Sequence, residues 1–213
     1  MAIVDESGSG KTTLLKLLLK YYEQTTGEIL IGNQDMRGVS ADEWRKKCSI
    51  VMQESYIFSE TILRNIVLGA EEIDEHRLME TIRIANLKEF IESKPMKVYT
   101  KIGASGMGLS GGEKQRIMIA RAVYKNPQYL FLDEATSSLN AKNESIIVKN
   151  LGEYLKGRSV VIIAHRLSTV KNADQIIVLK GGVVVETGNH EQLLRKNKAY
   201  YTLMSNQLSL SLS

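Results

Sequence analysis

Ser7-Gly8-Ser9-Gly10-Lys11-Thr12-Thr13 lies between one apolar run, Ala2-Ile3-Val4, and a second that begins at Leu14-Leu15. The first run reads as the tail of a buried strand, and the second as a helix from Lys11 to about Tyr22. Glycine and serine therefore fill a strand-to-helix turn. Backbone N–H groups at a helix N-terminus suit a dense anion, and glycines let the backbone approach it closely. In that setting Lys11 supplies a point charge for the β- and γ-phosphates of a nucleotide, and the Thr12 hydroxyl offers a ligand to Mg²⁺. The bland alternative is a flexible turn. The Gly-Lys-Thr ending weighs against it by about twenty to one.

Outward from this turn the chain alternates strand, loop and helix. Glu28–Ile31 reads as a short strand before a Gly32-Asn33 turn, and Ser40 as the cap of a short helix through Trp44. Strands are expected at Cys48–Met52, Tyr129–Leu132, Ser159–Ile163 and Gln175–Leu179, with helices over Gly111–Tyr124 and Lys142–Leu155 and a short one near Ser168. Gly181-Gly182 predicts a hairpin into Val183-Val184-Val185, and two polar helices follow. Near-continuous apolar strands alternating with helices predict an α/β fold, a mostly parallel sheet with helices on its faces. Thr61–Leu68, Asp74–Ala85 and Leu87–Ser93 carry helical spacing without strands, and Lys94–Leu109 reads as loop. This suggests a helical subdomain over 54–114 inserted in a core of 1–53 and 115–206, with 207–213 as a frayed tail.

Two further constellations carry chemistry. Tyr129-Leu130-Phe131-Leu132 ends in Asp133-Glu134. Parallel sheets hold ligands at the carboxyl ends of their strands, so Asp133 is placed to hold Mg²⁺ through its waters and Glu134 to polarise an attacking water as general base. Alone, an apolar strand followed by Asp-Glu reads as a solvated strand end; beside the phosphate loop it gains weight. Leu109-Ser110-Gly111-Gly112-Glu113-Lys114-Gln115-Arg116 then opens a helix with a second glycine-rich, hydroxyl-bearing anion site. As a bare loop it would be a helix cap with Ser110 as the capping residue. Two such sites in one nucleotide-binding domain make sense if they meet across a dimer.

Composition is that of a globular domain: 213 residues, 43% hydrophobic and 24% charged, with a net charge of +4. Its lysines are scattered and no arginine-rich or aromatic-interleaved basic face stands out, which argues against nucleic-acid binding. The single cysteine, Cys48, excludes an internal disulfide and a cysteine-cluster metal site, and suits a reducing compartment. No apolar run approaches the roughly 20 residues that span a bilayer, and no signal peptide precedes the phosphate loop.

The phosphate loop, Gln53, Leu-Ser-Gly-Gly-Glu, Asp133-Glu134 and His165 stand in the order and approximate spacing of the ATP-binding cassette family, which the whole chain resembles. Ile163-Ala164-His165-Arg166-Leu167-Ser168-Thr169-Val170 and Ile57–Ile66 are similar to ABC exporters, and the overall wording to bacterial peptide or bacteriocin systems. The resemblance implies a P-loop NTPase (RecA-like) fold and an ATPase with ATP and Mg²⁺ as its cofactors. It implies that Ser7, Gly8, Ser9, Gly10, Lys11, Thr12 and Thr13 hold the phosphates, and that Thr12, Gln53 and Asp133 serve the metal. Glu134, His165 and Gln53 would then be the catalytic set. It further implies a head-to-tail dimer in which Ser110, Gly111 and Gly112 of one chain close over the partner's ATP. The motor would power export through a transmembrane domain at the cytoplasmic face of a bacterial inner or plasma membrane.

Three departures qualify that expectation. Asp5 stands where the phosphate-loop pattern opens with glycine; a positive φ there would cost about 1–2 kcal/mol. Its charge, about 7 Å from phosphate, adds roughly 2 kcal/mol of repulsion at an effective dielectric near 20. Asn140 stands where the family usually has aspartate, which is expected to soften communication between the paired sites. The chain also starts one strand tail before the phosphate loop, where family members carry earlier antiparallel strands and an adenine-stacking aromatic, so the expectation is a truncated or fragmentary cassette. The alternative function is thus a degenerate cassette that binds nucleotide weakly without productive hydrolysis.

Overall fold

The computed structural model describes residues 1–5, 10–52, 56–104, 106–163 and 170–211, with side chains as far as 206. Its strands are β1 (Ala2–Asp5), β2 (Leu30–Ile31), β3 (Gln34–Asp35), β4 (Cys48–Val51), β5 (Tyr129–Asp133), β6 (Ser159–Ile163), β7 (Ile176–Lys180) and β8 (Val183–Gly188). Its helices are α1 (Lys11–Leu18), α2 (Ala41–Lys47), α3 (Ile62–Ile66), α4 (Glu75–Ile84), α5 (Lys88–Glu92), α6 (Gly111–Tyr124), α7 (Ala141–Tyr154), α8 (His190–Lys196) and α9 (Ala199–Ser211). The chain divides into two compact units. Met1–Cys48, Tyr129–Asp133 and Ser159–Ser213 make one, and Ser49–Gln128 with Glu134–Arg158 the other. The short helix expected near Ser168 lies outside the described residues.

In the first unit the strands run in the order β5-β6-β1-β7-β8. The first four are parallel and β8 returns antiparallel along β7. The mostly parallel sheet expected from the sequence is present. β1 is buried along its length, which is why Ala2-Ile3-Val4 shows no polar alternation. Ala2 and Val4 share a face and pack with Val170, Ile176, Val178, Leu193, Tyr200 and Met204, so α8 and α9 cover that side. Each fully buried Val, Leu or Ile contributes about 1.5–3 kcal/mol. Register fixes the functional edge: Asp133 stands level with Ile163, which stands level with Ile3. Asp133 and Asp5 therefore share the carboxyl edge of the sheet.

The β7–β8 hairpin turns on Gly181 and Gly182 with φ of 57° and 80°, the two left-handed positions of a type I′ turn. α1 stops at Leu18, short of the expected Tyr22. Lys20 takes a left-handed φ of 55°, and the Tyr21 N–H bonds back to the Lys16 carbonyl, a Schellman-type end made without glycine. The Lys20 ammonium is held by the Met36 and Val39 carbonyls at 2.7 and 2.6 Å, which anchors that conformation. α2 outlasts its expected end at Trp44 and reaches Lys47. Trp44 docks it on α1, with the indole N–H donating to the Leu18 carbonyl at 2.7 Å. Ser40 sits at its N-cap, but the hydroxyl makes no capping bond. α9 carries helix into the Ser/Leu-rich stretch from Gln207.

The second unit holds α3 to α7. Thr61 and Asp74 are caps and not first turns of α3 and α4: their side chains accept the N–H groups of Arg64 and Arg77. Asn65 is the polar anchor here. Fully buried, it donates to the carbonyls of Phe58, Glu60 and Thr61 and accepts from the Phe58 N–H and from Arg121. Burial lowers the Arg121 pKa, and its guanidinium also binds the Asn65 and Tyr56 carbonyls. Among the described residues no helix is long and apolar enough to cross a membrane.

Asn65→Ala strands the Phe58 N–H and several carbonyls, so it is expected to lower the unfolding free energy by about 2–4 kcal/mol. A urea titration reads this as a lower midpoint at unchanged slope; an unshifted midpoint would show that the anchor is dispensable.

Candidate functional site

The first candidate site is built on β1 and α1. Gly10, at the α1 N-cap, has φ 90° and ψ 12°. A Cβ there would meet nothing within 4 Å, so the backbone conformation is what requires glycine. Lys11 and Thr12 follow as the first helical residues, with Thr12 and Thr13 exposed. The first turn of a helix presents N–H groups with no intrahelical acceptor and the positive end of its dipole, and α1 puts no acidic residue there. Asp133, buried, ends β5 at the same sheet edge.

Asp5 sits inside this site. It is the last residue of β1, paired with Leu179 in extended backbone, and it is absent from the positive-φ positions. The strain expected from replacing a glycine is therefore not incurred, because Asp5 stays in the strand. The charge does matter. The Asp5 carboxylate is fully buried and ion-paired with the Lys11 ammonium, itself only 10% exposed. Asp5 thus engages the ammonium that the sequence reading assigns to a nucleotide's phosphates.

A separate candidate site, at the start of α6, lies in the other unit. Ser110 caps α6 through a capping box: the Glu113 N–H donates to Ser110 Oγ at 3.3 Å, and the Ser110 N–H to Glu113 Oε2 at 2.8 Å. The Ser110 hydroxyl also donates to Glu113 Oε2 at 2.8 Å. The cap is real, and Ser110 and Gly111 stay exposed beside it. Burial works to raise the Glu113 pKa, but the hydrogen bonds from Ser110 outweigh it, helped by Lys94 and Arg116, and the carboxyl ends below the ordinary range. Gly111 and Gly112 seat the helix on the segment after β5. A Cβ on Gly112 would lie 3.2 Å from the Ser138 carbonyl oxygen, and one on Gly111 3.4 Å from Ser138 Cβ.

Glu134 adopts a left-handed φ of 50°, which costs a non-glycine residue about 1–2 kcal/mol. Such conformations persist where surrounding contacts fix them, and they cluster at functional positions. Asn140 caps α7, its Oδ1 accepting the Asn143 N–H at 2.9 Å. Asn and Asp serve that role about equally well, so the substitution at 140 leaves the cap intact and removes only a charge. Gln115 escaped the sequence reading altogether. A glutamine on an α-helix gives no signal of what its amide meets. Ser7, Gly8, Ser9, Gln53 and His165 lie outside the described residues. The described ones, Gly10, Lys11, Thr12 and Asp133 above all, have the donors and carboxylate that a nucleotide's phosphates and Mg²⁺ need.

Residues 1–137 match the family model described as ABC transporter. The chain is 46% identical over 203 residues to an ATP-dependent lipid A-core flippase of Syntrophus aciditrophicus, covering 95% of this chain and 34% of that protein. It is 43% identical over 205 residues to the alpha-hemolysin translocation ATP-binding protein HlyB of Escherichia coli O157:H7, covering 96% and 29%. Among solved structures, that of a bacterial Atm1-family ABC exporter with ATP bound aligns with a TM-score of 0.93 at 38% identity, over 97% of this chain and 36% of that one. The chain thus spans about a third of the length of each of these relatives.

Asp5→Gly removes the competitor for Lys11. It is expected to raise ATP affinity about ten- to a hundredfold, a decade for each ~1.4 kcal/mol, while lowering the melting temperature of the nucleotide-free chain because Lys11 loses its buried partner. Isothermal titration and paired melts read both effects; unchanged affinity would contradict the competition. The lowered Glu113 pKa carries a second expectation. Its contribution to the α6 cap is complete above 4.5, the ordinary value, and is lost as pH falls through the lower folded value. The urea-midpoint difference between the parent chain and Glu113→Gln should therefore shrink on acidification below that range. A constant difference would contradict it.

Proposed function

Because this chain belongs to the ABC transporter family, we propose that it is the ATP-binding and ATP-hydrolysing domain of an exporter, acting as a head-to-tail pair at the cytoplasmic face of a membrane. The observation that carries this reading is the left-handed Gly10 opening α1 through Lys11 and Thr12, with Asp133 at the same sheet edge. That edge is where a parallel α/β sheet binds its ligands. The solved relative of the same fold is described with ATP bound.

Bound Mg-ATP supplies the phosphoanhydride bond that is broken, with Mg²⁺ offsetting charge on its oxygens. In this reading Gly8 to Thr13 orient the phosphates through backbone N–H groups, and the Lys11 ammonium leaves Asp5 to face them. Thr12, Gln53 and Asp133 would hold the metal. The Glu134 carboxylate accepts a proton from the attacking water, and His165 steadies the γ-phosphate and that water. Ser110, Gly111 and Gly112 of the partner chain close the site from the other side, with the Ser110 hydroxyl turning from Glu113 to phosphate. Closure brings α6's N-terminal dipole to the same anion and excludes bulk water. A transmembrane domain would turn closing and opening into export; the substrate is chosen there.

Glu134→Gln is expected to cut the Mg-ATPase rate about a hundred- to a thousandfold, within the range of general-base catalysis, and to leave ATP affinity within about threefold. Phosphate release and nucleotide titration on the two chains test this. Equal rates for both would remove Glu134 from the reaction.

A further inference from the structure

Gln115 is a buried polar side chain, 8% exposed, and it uses both ends of its amide. Nε2 donates to the Glu134 carbonyl at 2.9 Å and reaches Ser137 Oγ at 3.4 Å, while Oε1 accepts the Ser138 N–H at 2.9 Å. The orientation of the amide is not arbitrary. A backbone carbonyl demands the NH₂ and a backbone N–H demands the oxygen, so a single placement satisfies both. The side chain therefore brackets the turn that leaves β5, gripping it at residue 134 and again at residue 138. Within that turn the Ser137 N–H also returns to the Glu134 carbonyl at 3.0 Å.

What is gripped is strained. Glu134 holds a left-handed backbone that glutamate does not choose by itself. The direction of its Cα–Cβ bond, and so of its carboxylate, follows from that backbone. Gln115 lies in the helix that starts at Ser110, and the Gly111 and Gly112 backbones press on Ser138 of the same turn. The start of α6 and the backbone of Glu134 are thereby joined through one side chain.

We infer that Gln115 is a positioning residue for Glu134: its amide holds the Glu134 carbonyl and the Ser138 N–H so that the carboxylate stays aimed at the reacting water. It acts through Glu134 and does not touch nucleotide. The inference rests on the reading of Glu134 as the general base.

The test uses the full chain and Mg-ATP, with kcat, KM and their pH dependence as readouts. Gln115→Glu keeps the volume and the acceptor for Ser138, but sets an anionic oxygen against the Glu134 carbonyl. Expected are a kcat at least tenfold lower, a KM within twofold of the parent, and a rate ratio to parent that climbs as pH falls, because the protonated carboxyl regains the missing donor. Gln115→Ala should lower kcat at least as much in the parent, yet change the residual rate of Glu134→Gln by less than twofold, since its target is already gone. Should Gln115→Ala fail to fold, Gln115→Glu carries the test alone. Two results overturn the inference: a Gln115→Glu rate within twofold of the parent, or an alanine effect of equal size in both backgrounds. A Glu134→Gln chain as fast as the parent would instead overturn the underlying reading of Glu134.

Discussion

Backbone N–H groups at a helix start have no intrahelical acceptor and sit at the positive end of the dipole, and this chain exposes two such starts, those of α1 and α6. α1 and α6 both begin with glycine-bearing turns, and both leave their first turns accessible. Both also carry a carboxylate of the chain's own. Asp5 pairs with Lys11 beside the start of α1, and Glu113 accepts from Ser110 at the start of α6. The positive ends of the two helices are thus each supplied with an internal anion, which in the proposed reading a bound phosphate would displace or share. At Asp5 the carboxylate is fully buried, so displacing it leaves a charge with poor solvation. At Glu113 the exchange is easier because the site is more open.

The sheet explains why these elements are where they are. β1 is buried along its length, so its sequence is spent on apolar contact until Asp5 at the carboxyl edge. β5 repeats the device, four residues of strand before Asp133. Parallel pairing through β6 aligns the two strand ends to within two residues, which brings Asp133 and Asp5 to one sheet edge with no direct pairing between β1 and β5. The second unit carries its own fixed geometry. Asn65 and Arg121 secure its early loop, and Gln115 secures the turn after β5.

Much of this was legible in the residues. Buried parallel strands announce themselves as unbroken apolar runs, and α6 is bounded by Ser110 with Glu113 at one end and a loss of helical spacing at the other. What stayed hidden has physical causes. Lys20 ends α1 in a conformation that usually calls for glycine, held by two carbonyls from a later segment that local pattern does not reveal. Asp5 read as a strained intruder because the phosphate-loop pattern puts glycine there; the structure keeps it in strand, and its effect is electrostatic alone. Asn65 and Gln115 are ordinary amides in sequence, and only tertiary placement makes them anchors. Ser7, Gly8, Ser9, Gln53 and His165 keep their roles as proposals.

In the proposed reading, the starts of α1 and α6 grip one triphosphate from opposite chains. Sedimentation of the Glu134→Gln chain with and without saturating Mg-ATP tests it most directly. A nucleotide-dependent dimer is expected, abolished by Ser110→Arg while each monomer still binds ATP. A chain that loads Mg-ATP fully and stays monomeric at every accessible concentration would contradict it.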